Sequence, residues 1–399
     1  MTPSATSSEP ACPASIETGR STAHSAPLGL RVERRAIADI PRATWDAVAS
    51  RTPWTTPFSG WAFQRAWWDA YGTNGHEDTL VVLPGGAPTE ADPVAIVPLM
   101  HRHEVEPQDV LTHTLMRHGA DVELTPVPGS ATAVFFGASY HADYATILAA
   151  PGDLPAVADA IIADLADPPA LPRWDVVDLR RLRCGDPAAD ALAAAFGARE
   201  IAEGWTLNVE REDVCPVVTL PTGADMDGYL ATLERKQRHE IRRKIRRAAG
   251  LGEIRLDDAA RPLDEIDAFV ELHQKKWGAN GLFPATPGGD QSRVLFRRLF
   301  ELHGDDGPLR LSFLSVGGRR IAAGIHFETP DADLFYNMGV DPDARDLSPG
   351  VLLIYELIAR GVARGAHRFD FLRGDEPYKY DWGAVDEPVQ RLLVRRRNG

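Results

Sequence analysis

Residues 309–340, which read LRLSFLSVGGRRIAAGIHFETPDADLFYNMGV, carry the clearest structural pattern in the chain. The pattern predicts a strand over Leu309–Val316, a tight turn at Gly317-Gly318 and a return strand over Arg319–Phe327, because paired glycines adopt the backbone that short hairpins need. A second turn then leads into a third strand over Leu334–Val340. These residues therefore form an antiparallel meander.

The residues that follow the meander decide the fold class. A helix is predicted over Pro349–Arg364 and a further strand over Arg368–Leu372. A helix that connects a meander to another strand of the same sheet makes the sheet mixed. We therefore expect an α/β fold, with α+β mixed sheets.

Outward from this region, the chain divides into three parts. Residues 1–27 are rich in Ser, Thr, Pro and Ala and are predicted to form a disordered tail. Residues 28–215 alternate strands and helices, including a hairpin of Leu80–Leu83 with Val94–Leu99. A break at Pro216–Pro221 opens residues 216–399, where helices are predicted over Asp225–Ala249 and Leu263–Trp277.

Composition excludes several classes of protein. The net charge of −14 repels nucleic acid and anionic membranes as a whole, so such a partner would need a local basic patch. No run of 18 apolar residues is present, so we expect no membrane span and a cytoplasmic protein. The three cysteines and the scattered histidines show no metal-ligand spacing, so we expect no metal.

The start of the helix after the meander is a candidate anion site. Ser348 is a favourable N-cap residue, and Pro349 suits the first helical position. Gly350 and Val351 then present backbone N–H groups at the positive end of the helix dipole, where a pyrophosphate such as that of coenzyme A would bind. The alternative is an ordinary capped helix without a ligand, and Asp346 nearby argues mildly against an anion.

The turn at residues 369–382, FDFLRGDEPYKYDW, is a candidate catalytic loop, because rigid folds place reactive groups at strand ends. Glu376 or Asp370 could act as general base, Arg373 or Lys379 could hold an anion, and Tyr378 could donate a proton. The alternative is a solvated, salt-bridged loop.

Two helices add further candidates. The predicted helix over Asp225–Ala249 carries a basic face that could bind phosphates of a nucleotide, a tRNA or an anionic sugar, although it could equally be a solvated helix with internal ion pairs. On the next helix, His273 lies one turn from Trp277 and is the histidine best suited to acid–base chemistry. A histidine on an apolar helix face is more often a core residue.

Taken in order, these segments resemble the FemAB-like/CelD-like branch of the GNAT N-acyltransferases. The resemblance covers residue 28 to the end and is strongest over the last 170 or so residues. Its elements are Lys236-x-Arg238-x-x-x-Arg242-Arg243, Phe269-x-x-x-His273-x-x-x-Trp277, Phe335-Tyr336-Asn337-Met338, Ser348-Pro349-Gly350, and Asp370-Phe371-Leu372-Arg373-Gly374-x-Glu376-x-Tyr378-Lys379.

The resemblance implies two tandem GNAT-like lobes packed around a cleft, and direct transfer of an acyl group from acyl-CoA to an amine of a small-molecule, sugar or cell-envelope acceptor. The expected base is Glu376 or His273. The implied site residues are catalytic Glu376, His273, Asp370 and Tyr378; substrate-binding Arg373, Lys379, Trp277, Tyr336, Asn337, Arg238 and Arg242; and cofactor-binding Ser348, Gly350 and Val351.

Two other functions stay open. Relatives with an aminoacyl-tRNA donor make the basic helix a tRNA contact, and a ligand-binding protein without activity is a third possibility. The usual Gly-rich pyrophosphate loop of GNAT enzymes is replaced here by Asp346-Leu347-Ser348-Pro349-Gly350. The geometry of CoA binding is therefore expected to differ from the usual one.

Overall fold

The computed structural model describes residues 29–119, 123–166 and 173–397. The predicted tail of residues 1–27 lies outside the described residues. The strands are β1 (Leu30–Arg34), β2 (His76–Glu77), β3 (Leu80–Pro84), β4 (Ala95–Val97), β5 (Leu99–Arg102), β6 (Ala133–Phe136), β7 (Leu148–Ala149), β8 (Val176–Arg183), β9 (Trp205–Thr219), β10 (Ile254–Asp258), β11 (Leu309–Val316), β12 (Arg319–Glu328), β13 (Ala332–Val340), β14 (Arg368–Asp370) and β15 (Val385–Arg396). The helices are α1 (Arg42–Ala49), α2 (Trp61–Tyr71), α3 (Leu154–Ala166), α4 (Pro187–Glu203), α5 (Met226–Thr232), α6 (Arg235–Ala249), α7 (Pro262–Trp277), α8 (Pro287–His303), α9 (Pro349–Arg364) and α10 (Pro377–Tyr380).

The strands form a small antiparallel sheet and a large mixed sheet, and together with the helices they confirm the predicted α/β class. A small sheet has the order β1-β3-β4-β7, and a large sheet has the order β10-β11-β12-β13-β14-β9-β15-β8-β6-β5-β2. The predicted meander is β11, β12 and β13, all antiparallel. β14 then pairs with β13 in parallel after the α9 crossover. The predicted hairpin between β3 and β4 is also present.

The predicted break at Pro216–Pro221 does not begin at Pro216, because Pro216 belongs to a strand at the centre of the large sheet. Pro216 lies inside β9, opposite Asp386 of β15, and its carbonyl accepts a hydrogen bond from the N–H of Phe371. Proline has no N–H for a ladder, which is why it indicated a break. The proposed boundary between residues 215 and 216 thus falls within a strand, and β15 lies between β9 and β8. The two lobes share one sheet.

The predicted continuous helix over Asp225–Ala249 is wrong, because the chain bends between α5 and α6. Asp225 caps α5 by accepting the N–H of Gly228 at 2.8 Å. Leu233 then adopts an extended backbone and is buried. Leu233 fits the spacing of apolar residues that predicted one helix, although it lies in the bend. Hydrophobic periodicity alone could therefore not show where the helix is interrupted.

The core of the second lobe lies on both faces of the meander. α9 covers one face with Leu352, Leu353 and Leu357, while α7 and α8 cover the other. β13 and α7 meet at Gly339, where a Cβ would lie 2.5 Å from the backbone nitrogen of His273. Glycine is therefore required at this crossing. Among the helices that the structure describes, none is both long and apolar enough to cross a membrane.

Candidate functional site

A cavity of about 600 Å³ opens between α6, the end of β13, the start of α9 and the turn at α10. Its volume lies within the usual range for ligand sites, roughly 300–1,000 Å³. The cavity is lined by Lys236, Gln237, Glu240, Ile241, Lys244, Lys276, Met338, Val340, Asp341, Pro342, Arg345, Ser348, Pro349, Gly350, Val351, Ile354, Tyr378, Asp381 and Trp382.

An irregularity in β13 determines which of its side chains face the cavity. Ile325 pairs with Asn337 but His326 pairs with Phe335, so Tyr336 is an extra residue in the strand. Such bulges reverse the alternation of side chains and are frequent next to active sites. Met338 therefore faces the cavity. Tyr336 points into the opposite core, where its hydroxyl donates to the carbonyl of His141 at 3.0 Å.

The start of α9 reaches the cavity in a different way from that expected. Ser348 is at the N-cap position, but it has left-handed backbone angles (φ 56°, ψ 56°) and its side chain makes no cap bond. Arg247 instead donates to the Ser348 hydroxyl at 3.2 Å. Ser348, Gly350 and Val351 all line the cavity, as a cofactor-binding set would. A Cβ on Gly350 would lie 3.9 Å from Met338, on the cavity wall.

The cavity wall carries four cations and three carboxylates, and the carboxylates are partly used elsewhere. Glu240 is paired with Arg243 at 2.7 Å, and Asp341 with Arg319 at 2.6 Å. Among the described residues, Lys236, Lys276 and Arg345 have no carboxylate within ion-pair distance. The cavity is thus locally positive in a chain of net charge −14, and an anionic ligand would compensate it.

Two ionisable groups on the wall have shifted pKa values. Burial, together with the neighbouring charge of Glu376, raises the pKa of Tyr378, so the phenol stays protonated at neutral pH. Burial lowers the pKa of Lys276, and the charge of Glu376 opposes this shift only in part. Both effects place Glu376 beside the cavity, although it does not line the wall. Its side chain is 40% exposed.

Lys379 lies beneath the turn rather than in the cavity. Its ammonium donates to the carbonyls of Leu372, Arg373 and Gly374 at 3.1, 2.8 and 2.9 Å, and lies 2.9 Å from a Glu376 oxygen. All three of its donors are therefore used. Lys379 therefore stabilises the turn and has no donor left for an anion in the cavity.

Two other predicted residues of this turn face the first lobe. Arg373 is buried and donates to Asp143 at 2.6 Å. Asp370 accepts hydrogen bonds from the Tyr144 hydroxyl and from the N–H of Leu372, both at 2.8 Å. Burial raises the pKa of Asp370 to about 6. These contacts join the two lobes and lie away from the cavity wall.

The remaining predicted site residues also lie outside the cavity. His273 is buried against the ring of Phe283, with the ring centroids 5.0 Å apart, and burial lowers its pKa to about 4. It is therefore neutral at pH 7. Four further predicted residues do not line the wall. They are Trp277, whose exposed ring lies 4.4 Å from the ammonium of Lys276, Asn337 on β13, and Arg238 and Arg242 on α6.

Several lining residues were absent from the predicted site set. Lys236 and Lys244 belong to the basic face predicted on this helix, and with Glu240 they follow each other at intervals of four on α6, so they share one helix face. That spacing could have assigned them to the site. Lys276 and Arg345 had no such signal, because tertiary packing alone brings the end of α7 and the turn before α9 to the cavity.

Residues 235–380 match the family model described as an acetyltransferase (GNAT) domain. The second half of the chain therefore contains a GNAT-type domain. The match begins at α6 and ends at α10, so it contains almost all of the cavity wall. The chain is thus an acyltransferase, as the resemblance of its motifs implied.

Two solved structures with TM-scores above 0.5 share the fold over most of this chain. The crystal structure of FemX matches with a TM-score of 0.55 at 10% identity, over 88% of this chain and 96% of that one. A conserved protein of unknown function from Bacteroides thetaiotaomicron VPI-5482 matches with 0.52 at 13% identity, over 93% and 100%. A tandem GNAT protein from the clavulanic acid biosynthesis pathway gives 0.46 at 12%, over 93% and 99%. A search of the curated proteins finds no match.

Proposed function

We propose that the chain transfers an acyl group from acyl-CoA to the amine of a small-molecule, sugar or cell-envelope acceptor in the cytoplasm, and that the donor binds in the 600 Å³ cavity. The observation that carries this proposal is the uncompensated charge of Lys236, Lys276 and Arg345 beside the start of α9. Phosphates are stabilised by such cations and by the N–H groups of a helix start. Met338 and Ile354 supply an apolar wall for the acyl chain.

The proposed reaction is direct transfer. The neutral amine attacks the thioester carbonyl, and backbone N–H groups stabilise the oxyanion that forms. Glu376 removes the proton of the attacking amine. As the C–S bond breaks, Tyr378 donates its proton to the departing thiolate, and the proton that Glu376 took from the amine returns to Tyr378 through solvent, so the products are an amide and free CoA with both side chains restored. The position of Tyr378 on the cavity wall supports this assignment, because its phenol is protonated at neutral pH.

Release of CoA distinguishes this proposal from others. Purified chain is mixed with acetyl-CoA and a panel of amines, and free thiol is followed with a colorimetric thiol reagent. The expected result is amine-dependent thiol release that RNase does not change. Absence of thiol release across short and long acyl-CoA donors would contradict the proposal.

A second candidate donor is aminoacyl-tRNA, and one observation favours it. α6 carries arginines on its outer side that do not line the cavity, among them Arg238, Arg242 and Arg243. Such a face could contact the phosphates of an RNA. Arg242 and Arg243 are already paired with Asp227 and Glu240, both at 2.7 Å, which weakens this candidate. It predicts activity that RNase abolishes and that falls steeply with added salt.

A further inference from the structure

We propose that the first lobe holds a divalent transition-metal ion, Zn²⁺ by preference, between His76, His101 and His103. These three side chains form the only group of three or more potential ligands found among the described residues. Their donor nitrogens all lie within 4.8 Å of one another. Imidazole is a preferred ligand of Zn²⁺, and a set of three histidines with an open fourth position is a known arrangement for this ion.

The sheet itself brings the three histidines together. β2 and β5 pair antiparallel at the edge of the large sheet, and His76 lies directly opposite His101. His103 is the first residue after β5, and its ring centroid lies 5.0 Å from that of His76. The rings confirm this arrangement, with centroids 4.5 Å apart for His76 and His101, and 5.4 Å apart for His101 and His103.

A carboxylate orients the central histidine. Nδ1 of His101 lies 2.5 Å from an oxygen of Asp78, and both side chains are buried. Metal-binding histidines usually donate their second ring nitrogen to such a carboxylate, which fixes the ring and leaves the other nitrogen for the ion. Nε2 of His101 is thereby the nitrogen available to a metal.

Arg102 holds the backbone around the site from the opposite face of the sheet. Its guanidinium donates to the carbonyl of Asn74 at 2.8 Å and pairs with Asp109 at 2.9 Å. These contacts fix the two segments that carry His76 and His101. Nitrogens around a tetrahedral Zn²⁺ lie about 3.4 Å apart, so the rings must approach by about 1 Å. His76 and His103 are exposed and can rotate by that amount.

The site is separate from the acyl-transfer cavity. β5 and β13 are six strands apart in the large sheet, which corresponds to roughly 30 Å at the usual strand spacing. The metal would link the two-residue edge strand β2 to β5 through side chains, in addition to their backbone pairing. This site differs from the expectation of no metal, because His76 is 25 positions from His101 and only the pairing of β2 with β5 brings them together.

Metal titration of the full chain tests the proposal. The protein is prepared without a histidine tag, treated with EDTA and dialysed, and Zn²⁺ binding is measured against a chromophoric chelator. The expected result is one Zn²⁺ per chain and a higher thermal unfolding midpoint on binding. His76→Gln and His103→Gln are each expected to weaken binding more than about 100-fold, and Asp78→Asn about 10–100-fold. His367→Gln, an exposed histidine outside the cluster, is the matched control.

Cobalt gives a second readout that does not depend on stability. Co²⁺ bound by three histidines is expected to produce a visible absorption band in the wild type and in His367→Gln, and none in His76→Gln. Circular dichroism verifies that the variants fold, which the exposure of His76 and His103 favours. Failure to bind Zn²⁺, or binding that His76→Gln and His103→Gln leave unchanged, overturns the proposal. In that case the three rings only pack against each other.

Discussion

Among single residues, Tyr378 is the proposed proton donor. It lines the cavity wall, and its phenol is protonated at neutral pH. We predict that Tyr378→Phe lowers kcat by about 10²–10⁴-fold, the usual contribution of a general acid, while the Kd for CoA stays within about twofold. Steady-state kinetics and calorimetry measure the two quantities.

The control for this change is Tyr355→Phe, because Tyr355 lies on α9 outside the cavity wall. It is expected to keep the wild-type kcat. Equal activity of Tyr378→Phe and wild type would remove Tyr378 from the mechanism.

Lys379 gives a prediction that separates a structural role from anion binding. Removal of its ammonium leaves three carbonyls without donors, and charge-assisted hydrogen bonds of this kind contribute about 1.5–3 kcal/mol each. Lys379→Met should therefore lower the free energy of unfolding by about 3 kcal/mol or more in urea denaturation. Lys275→Met, at an exposed position, is the control. A raised KM with unchanged stability would instead support the anion-binding role that the sequence indicated.

Residue patterns alone predicted part of the cavity wall. Ser348, Gly350, Val351 and Tyr378 were singled out by the helix-start motif and the charged turn, and the structure brings them together. Lys379 resembled a ligand-binding cation equally well. A sequence shows that a side chain is charged, but only the fold shows whether buried carbonyls already use that charge.

At the element scale, one carboxylate attaches a loop of the first lobe to the turn at residues 369–382. Asp375 accepts the backbone N–H groups of Leu115, Met116, Arg117 and His118. Burial alone would raise the pKa of Asp375, but these four hydrogen bonds hold it below its ordinary value. The charged form is thus favoured in the folded protein.

The pH dependence follows from this lowered pKa. A carboxyl whose pKa falls on folding stabilises the protein above its unfolded pKa of about 4, and this contribution disappears as the pH falls through the lower folded value. We predict that Asp375→Asn is less stable than wild type at pH 7, and that the difference shrinks below about pH 4. Urea denaturation across pH measures it, with exposed Asp305→Asn as control. A difference that is independent of pH would refute the assigned cause.

Helices and strands with a strong local sequence pattern were predicted correctly. Those whose secondary structure depends on packing against the rest of the fold were not. The β11–β12–β13 meander, α7 and α9 were predicted because their turns and periodicity are strong. α8 and β15 were missed. β15 is a mixture of charged and apolar residues with Pro388 inside, which argues against a strand. Its position between β9 and β8 supplies the partners that override this preference.

At the scale of the whole molecule, the shared sheet leads us to expect that the two lobes unfold as one unit. β15 belongs to the last part of the chain, yet Leu392 on this strand is buried in the core of the first lobe. We predict that Leu392→Ala lowers the stability of both lobes together, by about 2–5 kcal/mol. Hydrogen exchange followed by mass spectrometry would show slow-exchanging peptides of both lobes opening with the same free energy.

The matched variant is Leu353→Ala, in the core between α9 and the meander of the second lobe. It should likewise lower protection in both lobes. Loss of protection confined to the mutated lobe would show that the lobes unfold independently, against the arrangement of the sheet.

The proposed donor site requires that the cations of the second-lobe cavity bind CoA. Isothermal calorimetry of CoA binding tests it with wild type, a Lys236→Gln/Arg345→Gln double variant, and exposed Arg255→Gln as control. We predict that the double variant raises the Kd at least about 100-fold, since each charge-assisted contact contributes about 1.5 kcal/mol or more, while the control matches wild type. Equal affinity of the double variant and wild type would contradict the claim.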